Sequence, residues 1–199
     1  MDSFADIAAH LIESNFHVPF DKARKEYLTT SGIPFKEQLE LMFPKDRRNF
    51  DVQKKFEENK QDAFFNTEPE PDVIETVNTL RNLGIKTLVS SNNYNAFVLK
   101  YFDKFNTFKF DLILGYKDGF SKGKDHLLYA QKKFGIFKEE MLFVGDSLHD
   151  ADVAKELGIP FVGKIGTRTE EAFLKKFPDI ACVKKLSEII VLLSNEMRG

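Results

Sequence analysis

The sequence has one cysteine, Cys182, and no tryptophan. A single thiol gives no intrachain disulfide framework and no cysteine-based metal site, which suits a reducing cytoplasm. The N-terminus lacks a basic stretch followed by an apolar core, so no secretory signal is expected. No apolar run approaches membrane-spanning length, so no membrane partner is expected either. The formal net charge is only -2, and the lysines are interleaved with acids as on solvated helix faces. That balance offers no surface for nucleic acid. Internal repeats and low-complexity segments are also missing. Phenylalanine is abundant, with 21 copies, and reads as core filling rather than as an aromatic binding platform. A chain of 199 residues can build one real core plus a small accessory domain.

The first third reads as helices throughout. Phe4, Ile7, Ala8, Leu11 and Ile12 fall at helical spacing. Asp21 caps a second expected helix through Leu28, a third spans 35–43, and a charged fourth spans about 46–65. Thr67, Pro69 and Pro71 mark a joint, so residues 1–66 and 67–199 are expected to be separate parts. After the joint the pattern alternates. Strands are expected at 85–89, 110–114, 141–144, 160–165 and 180–183. Helices are expected between them, with one capped by Asp125 and a last one over 186–197. Strands alternating with helices predict an α/β fold with a doubly wound parallel sheet.

Three clusters fall at expected strand ends, where open α/β sheets bind ligands. Ser90, Ser91 and Asn92 follow Leu88 and Val89; a hydroxyl and free amides there can hold an anionic oxygen, and the plain alternative is a Ser/Asn turn. Lys122 and Lys124 precede an expected helix, where a lysine can neutralise a phosphoryl group; a solvated lysine is the alternative. The third cluster is the most informative. Residues 141–144 are almost wholly apolar, Gly145 and Asp146 end them, and a helix is expected over 148–157 with Gly158 as its cap. Asp146 therefore stands at a strand tip, and Asp150 in the first turn of the next helix. Two carboxylates side by side ask for a cation between them, and oxygen donors favour Mg²⁺. A bland reading, acids complementing a helix dipole, covers Asp150 and Asp152 but not Asp146.

Taken in order, these residues resemble the haloacid dehalogenase-like (HAD-like) hydrolases, and among them the phosphoglycolate-phosphatase type. Ser90 matches the family's second motif, which binds the phosphoryl group. Lys122 or Lys124 matches the third, a charge-stabilising lysine; spacing to Ala130 and Gly135 favours Lys122. Residues 145–150 match the fourth, whose acids hold Mg²⁺. The resemblance implies a Rossmann-like core, a helical cap over 1–66, and a small phosphorylated metabolite as substrate. It implies attack by an aspartate on phosphorus through an aspartyl-phosphate intermediate. The family's first motif, a strand ending in Asp-x-Asp-Gly-Thr that supplies this nucleophile, has no counterpart in the sequence. The opening residues, including Asp2, look like those just downstream of it. The expectation is a protein beginning further upstream, with residues 1–199 inactive as written. The alternative is a non-catalytic relative that binds phosphate or a partner.

Overall fold

The computed structural model describes residues 2–196, apart from the side chains of residues 2–3, 62–63 and 195–196. It divides into two compact units, Met1–Glu68 and Pro69–Gly199.

Unit one holds four helices: α1 (Asp2–Phe16), α2 (Phe20–Thr29), α3 (Phe35–Met42) and α4 (Arg48–Asn66). No strand occurs among its described residues. Ala5, Ala8, Ala9 and Ile12 recur every three or four residues and are fully buried. Small side chains on this stripe let α1 lie close to α2 and α4. Leu39, Val52 and Phe56 complete the core. Phenylalanine fills it, as expected: Phe35 and Phe56 have ring centroids 4.2 Å apart, and Phe16 stacks on Phe43 at 3.8 Å. The second helix begins one residue before Asp21, with Pro19 rather than Asp21 at its cap. Proline presets the extended-to-helical entry and needs no donor there.

Unit two is α/β. Its elements are α5 (Pro71–Asn82), β1 (Leu88–Tyr94), α6 (Asn95–Asp103), β2 (Leu112–Tyr116), α7 (Lys124–Phe134), β3 (Phe143–Gly145), α8 (Leu148–Leu157), β4 (Phe161–Lys164), α9 (Glu170–Lys176), β5 (Ala181–Val183) and α10 (Glu188–Glu196). The expected end of the last helix at Met197 lies outside the described residues. All pairings between named strands are parallel. They form two sheets, β1-β2 and β3-β4-β5. No described strand pairs with the outer edge of β1 or of β3. Leu88 and Leu112 nevertheless pack on the cluster of Leu127, Met141, Phe143 and Ala154, so one core serves both sheets.

Several boundaries differ from the sequence reading. The first strand starts at Leu88, not at residue 85. Ile85 N–H instead bonds back to Leu80 O, closing α5, and Thr87 N–H bonds to the Asp111 carboxylate. It also runs to Tyr94, through the expected Ser/Asn loop. Ser90 pairs with Leu114 and Tyr94 with Tyr116, so four steps on β1 match two on β2. Residues 91–93 therefore bulge out of the ladder. At α7 the cap is Gly123, at φ 101°, while Asp125 sits in the first turn and accepts from Ser121 N–H at 2.9 Å. The third strand is only three residues long and starts at Phe143.

Candidate functional site

The site is assembled at the carboxyl ends of β1 and β3 and in the loop after β2. It begins with a glycine. Gly145 ends β3, and a Cβ there would lie 2.6 Å from Asp150 Cβ and 2.7 Å from Asp150 Oδ2. Only a residue without a side chain lets α8 fold its first turn back onto the strand tip. Ser147 starts that turn as the helix cap. Its hydroxyl accepts from Asp150 N–H at 3.1 Å and donates to Asp150 Oδ2 at 2.8 Å. The carboxylate is thereby fixed and almost completely buried, at 1 % exposure.

A buried carboxylate needs a positive partner. Lys122 Nζ supplies it, 2.9 Å from Asp150 Oδ2 and with a side chain only 17 % exposed. The loop carrying Lys122 is tied to the β1 bulge, because Lys122 N–H donates to Asn92 Oδ1 at 3.1 Å. Ser91 Oγ accepts from Asn93 N–H and shapes the same bulge. Lys124 goes elsewhere: its Nζ pairs with Glu156 at 2.7 Å, with both side chains exposed. The hydrogen bond to Glu156, and then that residue's charge, raises the Lys124 pKa. Of the two lysines singled out by sequence, Lys122 is the one that meets Asp150. Asp152 likewise points outward, to Lys176 at 2.6 Å.

Asp146 stands just past β3 and is half-buried. Its Oδ2 accepts from Thr167 Oγ1 at 2.5 Å, so the loop after β4 orients it. Ser90, the last ladder residue before the bulge, is linked to α7: its Oγ lies 2.9 Å from His126 Nδ1. His126 has no exposed surface. Burial pushes its pKa down to about 4; Asp125 and the Gly115 backbone oppose that shift, and the charges of Lys122 and Lys117 reinforce it. Sequence reasoning missed Ser147, Thr167 and His126. The spacing Ser147-x-x-Asp150 is a capping pattern and could have been read. Thr167 comes from a distant loop, and His126 lies among apolar helix residues; neither carries a local signal.

Chemically, the Asp150 carboxylate has a lysine and a serine hydroxyl fixed on it at the tip of β3, Asp146 stands four residues before it with Thr167 on its carboxylate, and Ser90 is held by His126. Asp150 Oδ1 is buried with no hydrogen-bond partner among the described residues, the kind of atom that a cation would satisfy. Asp146 and Asp150 are hard oxygen donors that fit Mg²⁺, which takes one or two carboxylates and completes its shell with water and phosphate oxygens. Among the described residues, no three His, Cys, Asp or Glu side chains converge as a closed metal cage.

Fold and site thus define a parallel α/β protein with a lysine–carboxylate pair at its strand ends. Residues 2–164 match the sequence profile described as haloacid dehalogenase-like hydrolase, and the chain belongs to that family. It is similar to the phosphoglycolate phosphatase of Shigella boydii, with 30 % identity over 152 residues, 74 % of this chain and 57 % of that protein. The Escherichia coli K12 phosphoglycolate phosphatase is 32 % identical over 114 residues, 55 % of this chain and 45 % of that one. The chain therefore spans about half the length of the curated relatives it matches. A hydrolase from Pseudomonas syringae shares the fold with TM-score 0.76 at 18 % identity, covering 96 % of this chain and 91 % of its own. A haloacid dehalogenase-like hydrolase from Streptococcus pneumoniae does so with TM-score 0.76 at 17 %, covering 96 % and 91 %. Among the described residues, no helix is long and apolar enough to cross a membrane.

Proposed function

We propose that this fold serves Mg²⁺-dependent hydrolysis of a small phosphomonoester, by attack of an aspartate on phosphorus and hydrolysis of the aspartyl phosphate. The observation that carries the reading is the Lys122–Asp150 pair at 2.9 Å, set at the tip of β3 and tied through Asn92 to the loop beyond Ser90. Ser90 and the amides of residues 91 and 92 bind the phosphoryl oxygens, and Lys122 offsets their charge as a point cation. Asp146 and Asp150 hold Mg²⁺, which when bound supplies Lewis-acid stabilisation of the phosphoryl oxygens. Residues 1–66 form a helical cap. The likeness to phosphoglycolate phosphatases supports a small phosphorylated metabolite as substrate.

One observation favours a second reading, a phosphate- or partner-binding relative without turnover. Each of the two acids already has one oxygen engaged: Asp150 Oδ2 is held by Lys122 and Ser147, and Asp146 Oδ2 by Thr167.

The binding half of the proposal is testable apart from turnover. Mg²⁺ should raise the melting temperature of the chain, as any ligand of the native state does. Asp146→Asn should abolish the rise. Orthovanadate binding should weaken in Lys122→Ala and stay as it is in Lys132→Ala, the control in the last turn of α7. An undiminished Mg²⁺ response in Asp146→Asn would remove the metal assignment. Equal vanadate affinity in the two lysine variants would remove the phosphate site.

A further inference from the structure

We propose that His126 is a positioning residue for Ser90: its neutral ring donates from Nδ1–H to Ser90 Oγ, leaving the serine proton free to point at a bound phosphoryl oxygen. The inference rests on the phosphate-site reading of Ser90 and adds a residue which that reading does not contain.

The contact of 2.9 Å between Ser90 Oγ and His126 Nδ1 admits two hydrogen-bond patterns. In one, the serine hydroxyl donates to a bare Nδ1, and the ring proton sits on Nε2. In the other, Nδ1–H donates and Nε2 is bare. The two differ in what they leave buried. Nε2 has no hydrogen-bond partner among the described residues, and the ring has no exposed surface. The first pattern strands an N–H donor there; the second strands only a nitrogen lone pair. Orphaned buried N–H groups are rare, and under-satisfied acceptors are tolerated better.

The surroundings keep the ring neutral in either pattern. Phe120 covers it at 4.6 Å between centroids, and Lys122 and Lys117 oppose a second positive charge. Asp125 and the Gly115 backbone act in the other direction. The Gly115 backbone is an acceptor beside the ring, but among the described residues no partner meets Nε2 at hydrogen-bond distance and angle, whereas Ser90 Oγ meets Nδ1.

The tautomer has a functional consequence. A serine hydroxyl has one proton. If that proton is given to His126, Ser90 meets an anion with lone pairs only. If His126 supplies the proton of the shared bond, Ser90 becomes a donor of fixed direction toward the crevice. The residue selects what the motif serine can bind.

Two measurements test this on the intact chain. The ring nitrogens of ¹⁵N-labelled protein report the tautomer by NMR without any substitution. The expected spectrum at neutral pH has one neutral histidine protonated at Nδ1, missing in His126→Asn. A His126 signal protonated at Nε2 overturns the proposal, whatever the protein binds. The second measurement is orthovanadate affinity. His126→Leu should weaken it about tenfold, near the worth of one hydrogen bond to a charged group. His126→Asn places an amide donor at the Nδ1 position and should restore most of the loss. Vanadate affinity that falls in Ser90→Ala but is unchanged in His126→Leu refutes the positioning role and leaves the phosphate site standing. Affinity unchanged in both variants refutes the phosphate site, and the tautomer then decides the hydrogen-bond assignment alone.

Discussion

His126 makes the folded protein sensitive to mild acid. Its pKa is lowered from 6.5 to about 4 in the native state, chiefly by burial. Between those values the unfolded chain binds a proton that the native one does not, so stability rises with pH through this window. The contribution is fully present above about pH 6.5 and is lost as pH falls toward 4. With each pKa unit near 1.4 kcal/mol, it is of order 3–4 kcal/mol. Urea denaturation at pH 7.5 and pH 5 should therefore show a larger loss for the wild type than for His126→Asn, which cannot titrate. Equal losses would mean that the imidazole is not held neutral. The carboxylates with lowered pKa, such as Asp111 beside Lys86 and Arg81, lose their contribution at lower pH and do not imitate this effect.

At the scale of elements, the site depends on how closely α8 meets β3. Gly145→Ala would put a methyl carbon 2.6 Å from Asp150 Cβ, so strand and helix must separate. Overpacking of this kind costs roughly 1–3 kcal/mol. The expected result is a lower urea midpoint together with a weaker Mg²⁺ response, because the movement displaces Asp150. A variant with wild-type stability and Mg²⁺ response would show that the close approach is dispensable. This junction was legible in the sequence, since an apolar run, a Gly-Asp step and a Gly cap fix strand end, helix start and helix stop within eighteen residues. Helix α8 lies over Leu148–Leu157, as its pattern predicts. The β1 end was less legible. Ser90 to Asn93 has the composition of a turn, yet parallel pairing with β2 resumes at Tyr94 and carries the segment as a bulge. Local composition does not record a partner strand more than twenty residues away. The rivalry of Lys122 and Lys124 was undecidable for the same reason. Both flank Gly123, and only the distant positions of Asp150 and Glu156 separate them.

At the scale of the whole molecule, the five strands do not make one sheet. β1 and β3 each present an edge that no described strand pairs, while Leu88 and Phe143 share one apolar cluster. Backbone groups on such edges require partners, and each one buried without a partner costs about 1–3 kcal/mol. A few of them would rival a domain's net stability of roughly 5–15 kcal/mol. An added parallel strand would pair these edges. If it ended in Asp-x-Asp-Gly-Thr, it would also supply a carboxylate that is not already held by Lys122, Ser147 or Thr167. The prediction is that residues 1–199 do not turn over p-nitrophenyl phosphate with Mg²⁺. The same chain with an apolar strand ending in Asp-x-Asp-Gly-Thr fused ahead of Met1 should melt at a higher temperature. It should also show Mg²⁺-dependent turnover that disappears in Asp146→Asn. Turnover by residues 1–199 that is lost in Asp146→Asn would show instead that an acid within the chain attacks phosphorus. A stabilised but inactive fusion that binds vanadate through Lys122 would favour the non-catalytic phosphate-binding reading.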